Sequence, residues 1–158
     1  MRQIKFRGKR LDNGEWVYGD LIHIDDSDIG IVTDYDHWQG CRVDPETVGQ
    51  FVGITDEHGK EVYEGDVLEA NYKYDKLGYN GGVDPDNDCI CYGVVEFDNG
   101  YLAWVINIFK CEYPMTEFIE EGGSETLLNL FGHEYGYNNC NLTVLGNRFD
   151  NPDLPNGK

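Results

Sequence analysis

The sequence uses one turn signal twice, Asp-Asn-Gly, each time between segments in which apolar and polar residues alternate. The signal occurs at Asp12-Asn13-Gly14 and again at Asp98-Asn99-Gly100. Alternation with a period of two is typical of half-buried β-strands, and Asn-Gly readily adopts the positive φ angles of a tight type I′ turn. The pattern therefore predicts two β-hairpins, with strands over residues 4–11 and 15–24 and over residues 92–97 and 101–109.

The segments outside these hairpins continue the same rhythm, with a glycine-containing turn about every dozen residues, which favours a sandwich or a small barrel. Further strands are predicted over residues 28–35, 50–55, 60–63, 67–74 and 142–149, with a turn over 43–49. Residues 75–88 have no periodicity and predict an exposed, mobile loop. Two short helices are expected, over residues 116–121 and between Ser124 as cap and Gly132 as stop, and a polar, frayed tail over 151–158.

Charge is the strongest signal in the composition, since 30 acidic residues face 12 basic ones and the formal net charge is −18. Such a chain repels phosphate backbones, which argues against nucleic acid as a partner. Five of the twelve positive charges nevertheless lie in the first ten residues, where Ile4 and Phe6 alternate with them. We expect an edge strand there, with its apolar face inward and its basic face pairing with the acidic remainder; nucleic-acid binding by that face is the alternative.

The cysteines indicate a reducing compartment. Their number is odd and their spacing matches no disulfide framework, and no apolar run follows the charged N-terminus as in a secretory signal. The longest apolar stretch, residues 101–106, is far shorter than the roughly 18 residues of a membrane span. We therefore expect a cytoplasmic protein that does not contact membranes and keeps reduced thiols at Cys41, Cys89, Cys91, Cys111 and Cys140.

Motifs for nucleotide binding, hydrolysis and metalloprotease chemistry are missing from the sequence. The alternating carboxylates of residues 84–88 resemble the start of a calcium loop, but its sixth and twelfth positions hold Cys89 and Val95 in place of Gly and Glu. Scattered cysteines with His133 leave zinc as an alternative without the usual paired spacing. We expect no metal, no cofactor and no catalytic residue, with Asp66 as the one catalytic alternative.

A glycine-rich segment in the centre of the chain is its most specific motif. Residues 46–56 read Glu-Thr-Val-Gly-Gln-Phe-Val-Gly-Ile-Thr-Asp, and residues 59–68 read Gly-Lys-Glu-Val-Tyr-Glu-Gly-Asp-Val-Leu. Together they resemble the signature of the YopX family, and residues 1–9 and 142–152 resemble the start and the close of that family. The resemblance covers essentially the whole chain apart from the acidic loop at 75–88.

The resemblance implies a phage or prophage protein of a bacterial host, with an SH3-like β-barrel in its larger part and no activity to carry over. Combined with the strand pattern, it predicts a mainly β protein with an N-terminal β-hairpin region over residues 1–50 and a barrel domain over 51–150. Within the signature, Gly65 supplies backbone freedom for a tight turn, and Asp66 bonds to nearby backbone N–H groups.

The aromatic-rich sequence without a catalytic constellation favours a non-enzymatic protein-interaction module. Trp38, in a predicted loop, and Tyr101, beside the second hairpin turn, are the candidate contact residues because Trp and Tyr are common interface anchors. Trp16 and Trp104 are interpreted as core residues. The partner is a host protein, a phage protein or a second copy of the chain in a homo-oligomer.

Two functions of other classes remain as alternatives. The acidic surface could act as a nucleic-acid mimic that inhibits a DNA-binding protein of the host, which requires carboxylates in ordered rows on one face. A metal-dependent hydrolase requires buried, convergent carboxylates or histidines.

Overall fold

Antiparallel strands dominate the part of the chain that the computed structural model describes, which is residues 3–25, 28–33, 40–74, 76–77, 83–84, 88–112, 122–127 and 137–156. This confirms the predicted mainly β class. The strands are β1 (Phe6–Lys9), β2 (Trp16–His23), β3 (Ile29–Val32), β4 (Cys41–Arg42), β5 (Gly49–Thr55), β6 (Glu61–Tyr63), β7 (Asp66–Tyr74), β8 (Lys76–Leu77), β9 (Val83–Asp84), β10 (Asp88–Asp98), β11 (Ala103–Glu112), β12 (Ser124–Thr126) and β13 (Tyr137–Asn147), with short 3-10 helices at Pro45–Thr47 and Leu154–Asn156.

The first of two compact units comprises residues 1–55 and 61–64. Its strands form one sheet in the order β4-β3-β2-β1-β5-β6. Strand β1 is therefore central, because Arg7 pairs with Tyr18 of β2 on one side and with Gly49 of β5 on the other. The predicted edge position of β1 is wrong. Its pairing with β5 joins residues distant in the sequence, and no local pattern could have indicated it.

One face of the first sheet carries the apolar core of this unit. Val17, Ile31 and Val43 form a buried cluster, and Phe6 packs against it as the alternation in β1 predicted. Ile4, which precedes the strand, is instead 61% exposed, so the inward orientation predicted for it is wrong. The core is thus formed by β1, β2 and β3 together with Val43, which directly follows β4.

The second unit comprises residues 56–60 and 65–158, and its main sheet has the order β12-β11-β10-β7-β13. Strands β10 and β11 stay paired from Ile90 opposite Glu112 to Asp98 opposite Ala103, with a bulge after Tyr92. Buried side chains from every long strand fill its core, among them Leu68, Val95, Ile106, Leu142 and Val144. The β10–β11 hairpin ends in the loop at residues 99–102.

Both Asp-Asn-Gly hairpins exist, but neither has the predicted type I′ turn. In the first, Arg10 N donates to Glu15 O at 2.9 Å, so the connection is a four-residue loop, 11–14, in which Gly14 has a φ of +72°. In the second, Asp98 pairs with Ala103, and the left-handed residue is Leu102 with a φ of +51°. A type I′ turn needs positive φ at both central residues, and neither Asn13 nor Asn99 has it.

The described strands form open sheets and no closed barrel, so the SH3-like barrel expected from the resemblance is not confirmed. Ser124, predicted to cap a helix, instead begins strand β12. The other predicted helix, 116–121, and most of the one expected before Gly132 lie outside the described residues. In the described ranges, no helix has the length and apolar character needed to cross a bilayer.

Two segments predicted to be irregular contain ordered structure. Within residues 75–88, strands β8 and β9 pair as a two-stranded ribbon through Lys76 opposite Asp84 and Leu77 opposite Val83. In the predicted tail, Asn151 N donates to Asn147 O at 2.9 Å, and a 3-10 helix follows with Leu154 half-buried. The mobility of the loop and the division of the chain near residue 50 stay predictions.

Candidate protein-interaction surface

The loop at residues 99–102 is built around the side chain of Asp98. Its Oδ1 accepts hydrogen bonds from Gly100 N at 2.7 Å and Tyr101 N at 2.9 Å, an arrangement that Asp side chains commonly form in turns. The backbone then enters the left-handed region at Leu102 before β11 begins. The loop directs two large side chains into solvent: Tyr101 is 65% exposed and Leu102 is 76% exposed.

An aromatic pair lies on the strands just below this loop. Phe97 of β10 is directly opposite Trp104 of β11, and their rings meet edge to face with centroids 5.1 Å apart. Phe97 is 41% exposed and Trp104 is half-buried. We call Phe97, Tyr101, Leu102 and Trp104 the hairpin tip. It combines a rigid aromatic pair with two projecting side chains, the composition that interface cores favour.

Two residues singled out in the sequence lie on the hairpin tip. Tyr101 was predicted as a contact residue and is exposed there, whereas Trp104, interpreted as a core residue, is only half-buried. Trp38, the other predicted contact residue, lies outside the described residues. Phe97 and Leu102 were not predicted. The strand register pairs Phe97 with Trp104, whereas the predicted two-residue turn at Asn99-Gly100 would have placed Phe97 opposite Leu102, so the sequence did not indicate this pair.

The basic side chains of β1 contact aromatic rings of the first unit. The guanidinium of Arg7 lies 4.8 Å from the ring centroid of Trp16 and 5.0 Å from that of Tyr63, and it donates to Glu64 O at 3.0 Å. Lys9 also lies over Trp16, at 5.5 Å. Arg7 is only 5% exposed, so its cation–π contacts are part of the packed layer on this face of the sheet. Trp16 is half-buried in this layer.

Lys5, which directly precedes β1, binds an acidic residue of the same unit, as predicted for the basic residues near the N-terminus. Its Nζ lies 2.6 Å from Glu61 Oε2, which also accepts from the Tyr63 hydroxyl at 2.6 Å. These two hydrogen bonds keep the pKa of Glu61 below its usual value. Burial and the adjacent Glu61 carboxylate raise the pKa of Tyr63, which stays protonated. Glu61 is therefore an anion fixed between a cation and a phenol.

The central motif contains a buried carboxylate with a structural role. Asp56 is 7% exposed, and its carboxylate accepts hydrogen bonds from His58 N at 2.9 Å, Lys60 N at 2.8 Å and Val144 N at 3.1 Å. Burial alone would raise the pKa of Asp56, but these backbone donors lower it. Together with the hydrogen bond from Glu57 N to Leu142 O, they attach this turn to the outer edge of β13.

Candidate ligands for metals do not converge in the described ranges, where no three His, Cys, Asp or Glu side chains gather. The side chains of residues 84–88, Cys89 and His133 lie outside those ranges, so calcium and zinc binding by them stay open as alternatives. Burial raises the pKa of Cys140 to about 12, which leaves this residue as a thiol at neutral pH. Asp66, the one catalytic alternative, is 1% exposed at the start of β7.

The fold and the hairpin tip define a class: a hairpin-built, mainly β protein that presents an aromatic and aliphatic loop to solvent. The family model described as YopX protein matches residues 5–155. The chain belongs to the YopX family, which confirms the resemblance of its central motif. No curated protein matches the chain.

Proposed function

We propose that the chain is a non-enzymatic protein-interaction module whose contact residues form the hairpin tip. The observation that carries the proposal is Leu102, a large apolar residue that is 76% exposed and held at a φ of +51°. In the left-handed region, the Cβ of an L-residue costs roughly 1–2 kcal/mol. At this exposure Leu102 adds little buried apolar area to the fold, and such backbone outliers concentrate at functional sites.

The partner that fits this surface is a protein with an apolar pocket bordered by basic side chains. Tyr101 and Leu102 project far enough to be enclosed, and the Phe97–Trp104 pair provides a rigid base beneath them. The net charge of −18 favours a partner of opposite charge and accelerates its association. The same proposal includes that this partner is a host or phage protein and that the two proteins bind each other in the cytoplasm.

The test is affinity purification from a bacterial lysate with tagged full-length protein, in which the wild type is compared with the double variant Tyr101→Ser, Leu102→Gly. The matched control is Leu11→Ser, since Leu11 is a 61% exposed leucine in the loop of the other hairpin. We expect at least one protein whose retention, quantified by mass spectrometry, falls about tenfold with the double variant and is unchanged by the control.

The remaining outcomes separate this proposal from its competitors. Equal retention of every captured protein by the wild type and the double variant would overturn the role of the hairpin tip. Retention that is lost at high salt for all three proteins alike would favour the acidic nucleic-acid mimic instead. Thermal melting of each variant verifies that it is folded before its retention is compared.

A further inference from the structure

Two cysteines lie side by side in the β10–β11 hairpin. Cys91 of β10 is directly opposite Cys111 of β11, and their Sγ atoms are 3.2 Å apart in the thiol form. This is shorter than the roughly 3.5–4.0 Å at which non-bonded carbon atoms pack best, although sulfur is the larger atom. Cys91 is 1% exposed, whereas Cys111 is half-buried.

Position in the sheet explains the closeness of the two sulfur atoms. Residues directly opposite in an antiparallel pair direct their side chains to the same face, with Cβ atoms about 4.5–5.5 Å apart. A disulfide needs Cβ atoms about 3.5–4.5 Å apart, so a small local adjustment is required. The bulge that follows Tyr92 lies one residue beyond Cys91 and gives this part of the ladder the freedom to adjust.

We propose that Cys91 and Cys111 are a reversible dithiol–disulfide site, oxidised by a low-molecular-weight disulfide such as oxidised glutathione. The half-buried Cys111 reacts first because the reagent reaches it. The Cys111 thiolate attacks one sulfur of glutathione disulfide, which forms a mixed disulfide and releases one glutathione thiolate. Cys91 then loses its proton and attacks Cys111 Sγ, which releases the second glutathione. In total, two electrons and two protons pass from the protein dithiol to give two molecules of glutathione.

The bond would close a covalent loop through the hairpin that carries the hairpin tip. The loop runs from Cys91 to Cys111, about 20 residues, and cross-links of this size restrict the unfolded chain strongly. Oxidation should therefore raise the melting temperature by about 6–12 °C, given the size of the chain. This inference does not depend on the proposed interaction, since it concerns the base of the hairpin and needs no partner.

The experiment incubates the full-length protein with glutathione buffers of increasing oxidised fraction, quenches free thiols with an alkylating agent and maps the peptides by tandem mass spectrometry. We expect an intact-mass loss of two hydrogens, a Cys91–Cys111 linkage in the fragment spectra and the rise in melting temperature. Cys41→Ser and Cys140→Ser are the matched controls, and both should keep all three signals.

Cys111→Ser and, if it folds poorly, Cys111→Ala should abolish the linkage and the melting shift. The proposal is overturned if the wild type keeps both thiols under the most oxidising buffer. It is equally overturned if the oxidised wild type links Cys91 to Cys89 in place of Cys111. Mapping the wild type alone is decisive, so a variant that misfolds does not weaken the test.

Discussion

The two Asp-Asn-Gly hairpins have loops of the same length, but the tripeptide takes a different position in each. Each loop has four residues, but in the first loop the tripeptide fills positions two to four, and in the second it begins on the last strand residue, Asp98. The fourth loop position has a positive φ in both. It is occupied by Gly14 in the first hairpin and by Leu102 in the second.

Because the tripeptide is shifted by two residues, the left-handed position holds glycine in the first loop and an exposed leucine in the second. The first arrangement favours stability, and the second exposes an apolar side chain. Gly14 has no neighbour within 4 Å of where a Cβ would lie, and it adopts the left-handed region without a steric cost. Leu102 occupies the same position at a cost and exposes most of its side chain. A turn motif therefore does not determine turn geometry by itself, because the pairing of the flanking strands decides which residue takes the strained position.

The largest effect is expected at a third hairpin turn, where buried hydrogen bonds decide stability and backbone strain does not. Asp56→Ala removes the carboxylate that accepts hydrogen bonds from three backbone N–H groups. The N–H of Val144 in β13 then loses its hydrogen-bond partner. We expect a loss of about 3 kcal/mol in the free energy of unfolding, measured by urea denaturation. Asp44→Ala is the control, because Asp44 accepts from the single N–H of Glu46. Equal losses would show that burial adds nothing.

The same carboxylate predicts a pH dependence with a definite sign. The folded state lowers the pKa of Asp56, so the unfolded state binds more protons in the acidic range. The contribution of the Asp56 carboxylate to stability is therefore complete above the ordinary pKa of 3.8. That contribution should decrease as pH falls through 3.8 toward the folded-state pKa. In Asp56→Ala this part of the acid destabilisation should be missing, and identical profiles would contradict the assignment.

The next effect tests the first loop directly. Gly14→Leu places in the β1–β2 loop the residue type that Leu102 supplies in the other, and we expect a loss of roughly 1–2 kcal/mol because the left-handed backbone is retained. Urea denaturation measures this loss in the free energy of unfolding, and we expect the slope of that free energy against urea concentration to be unchanged. Leu11→Ala, at an exposed position of the same loop without positive φ, is the control. A Gly14→Leu variant as stable as the wild type would mean that the loop changes its conformation.

The reverse exchange should stabilise the protein by a smaller amount. Leu102→Gly removes the left-handed strain, but glycine also gives the unfolded chain more freedom, so we expect a net gain of about 0.5–1 kcal/mol. The gain should accompany weaker retention of the partner in the affinity experiment. A loss of stability would show that Leu102 has a folding role in the second unit and would weaken its assignment as a contact residue.

The smallest effect concerns the exposed ion pair of the first loop. Arg10 donates to both carboxylate oxygens of Asp12, at 2.9 and 2.6 Å, and this contact lowers the pKa of Asp12. Arg10→Gln should return that pKa toward 3.8, as measured by NMR titration, and added salt should do the same in the wild type. Stability should barely change, since exposed ion pairs contribute little. A marked loss of stability would contradict this assignment.

Local alternation predicted the strands of both hairpins, because the apolar and polar pattern of a strand lies within a few neighbouring residues. The choice of Tyr101 as a contact residue stays a prediction. Local alternation did not predict the central position of β1, which depends on Phe6 meeting Gln50. It did not predict the strained Leu102 either, because that position is set by the pairing of Asp98 with Ala103. The cap position expected at Ser124 is wrong for a related reason: Ser124 pairs with Asn107 of β11, a tertiary contact that overrides local propensity.

The attachment of β13 has a consequence for the order in which the second unit is completed during synthesis. Strand β7 lies between β10 and β13, and the Asp56 turn binds the outer edge of β13 at Leu142 and Val144. While a ribosome is still making the last strand, β7 lacks one neighbour and Asp56 lacks one of its donors. The β10–β11 hairpin forms from residues that are close in sequence, so it forms before β13 pairs with β7 and before Val144 reaches Asp56. The nascent chain therefore carries an open β7 edge until residue 147 emerges, which is when a chaperone would be of most use to it.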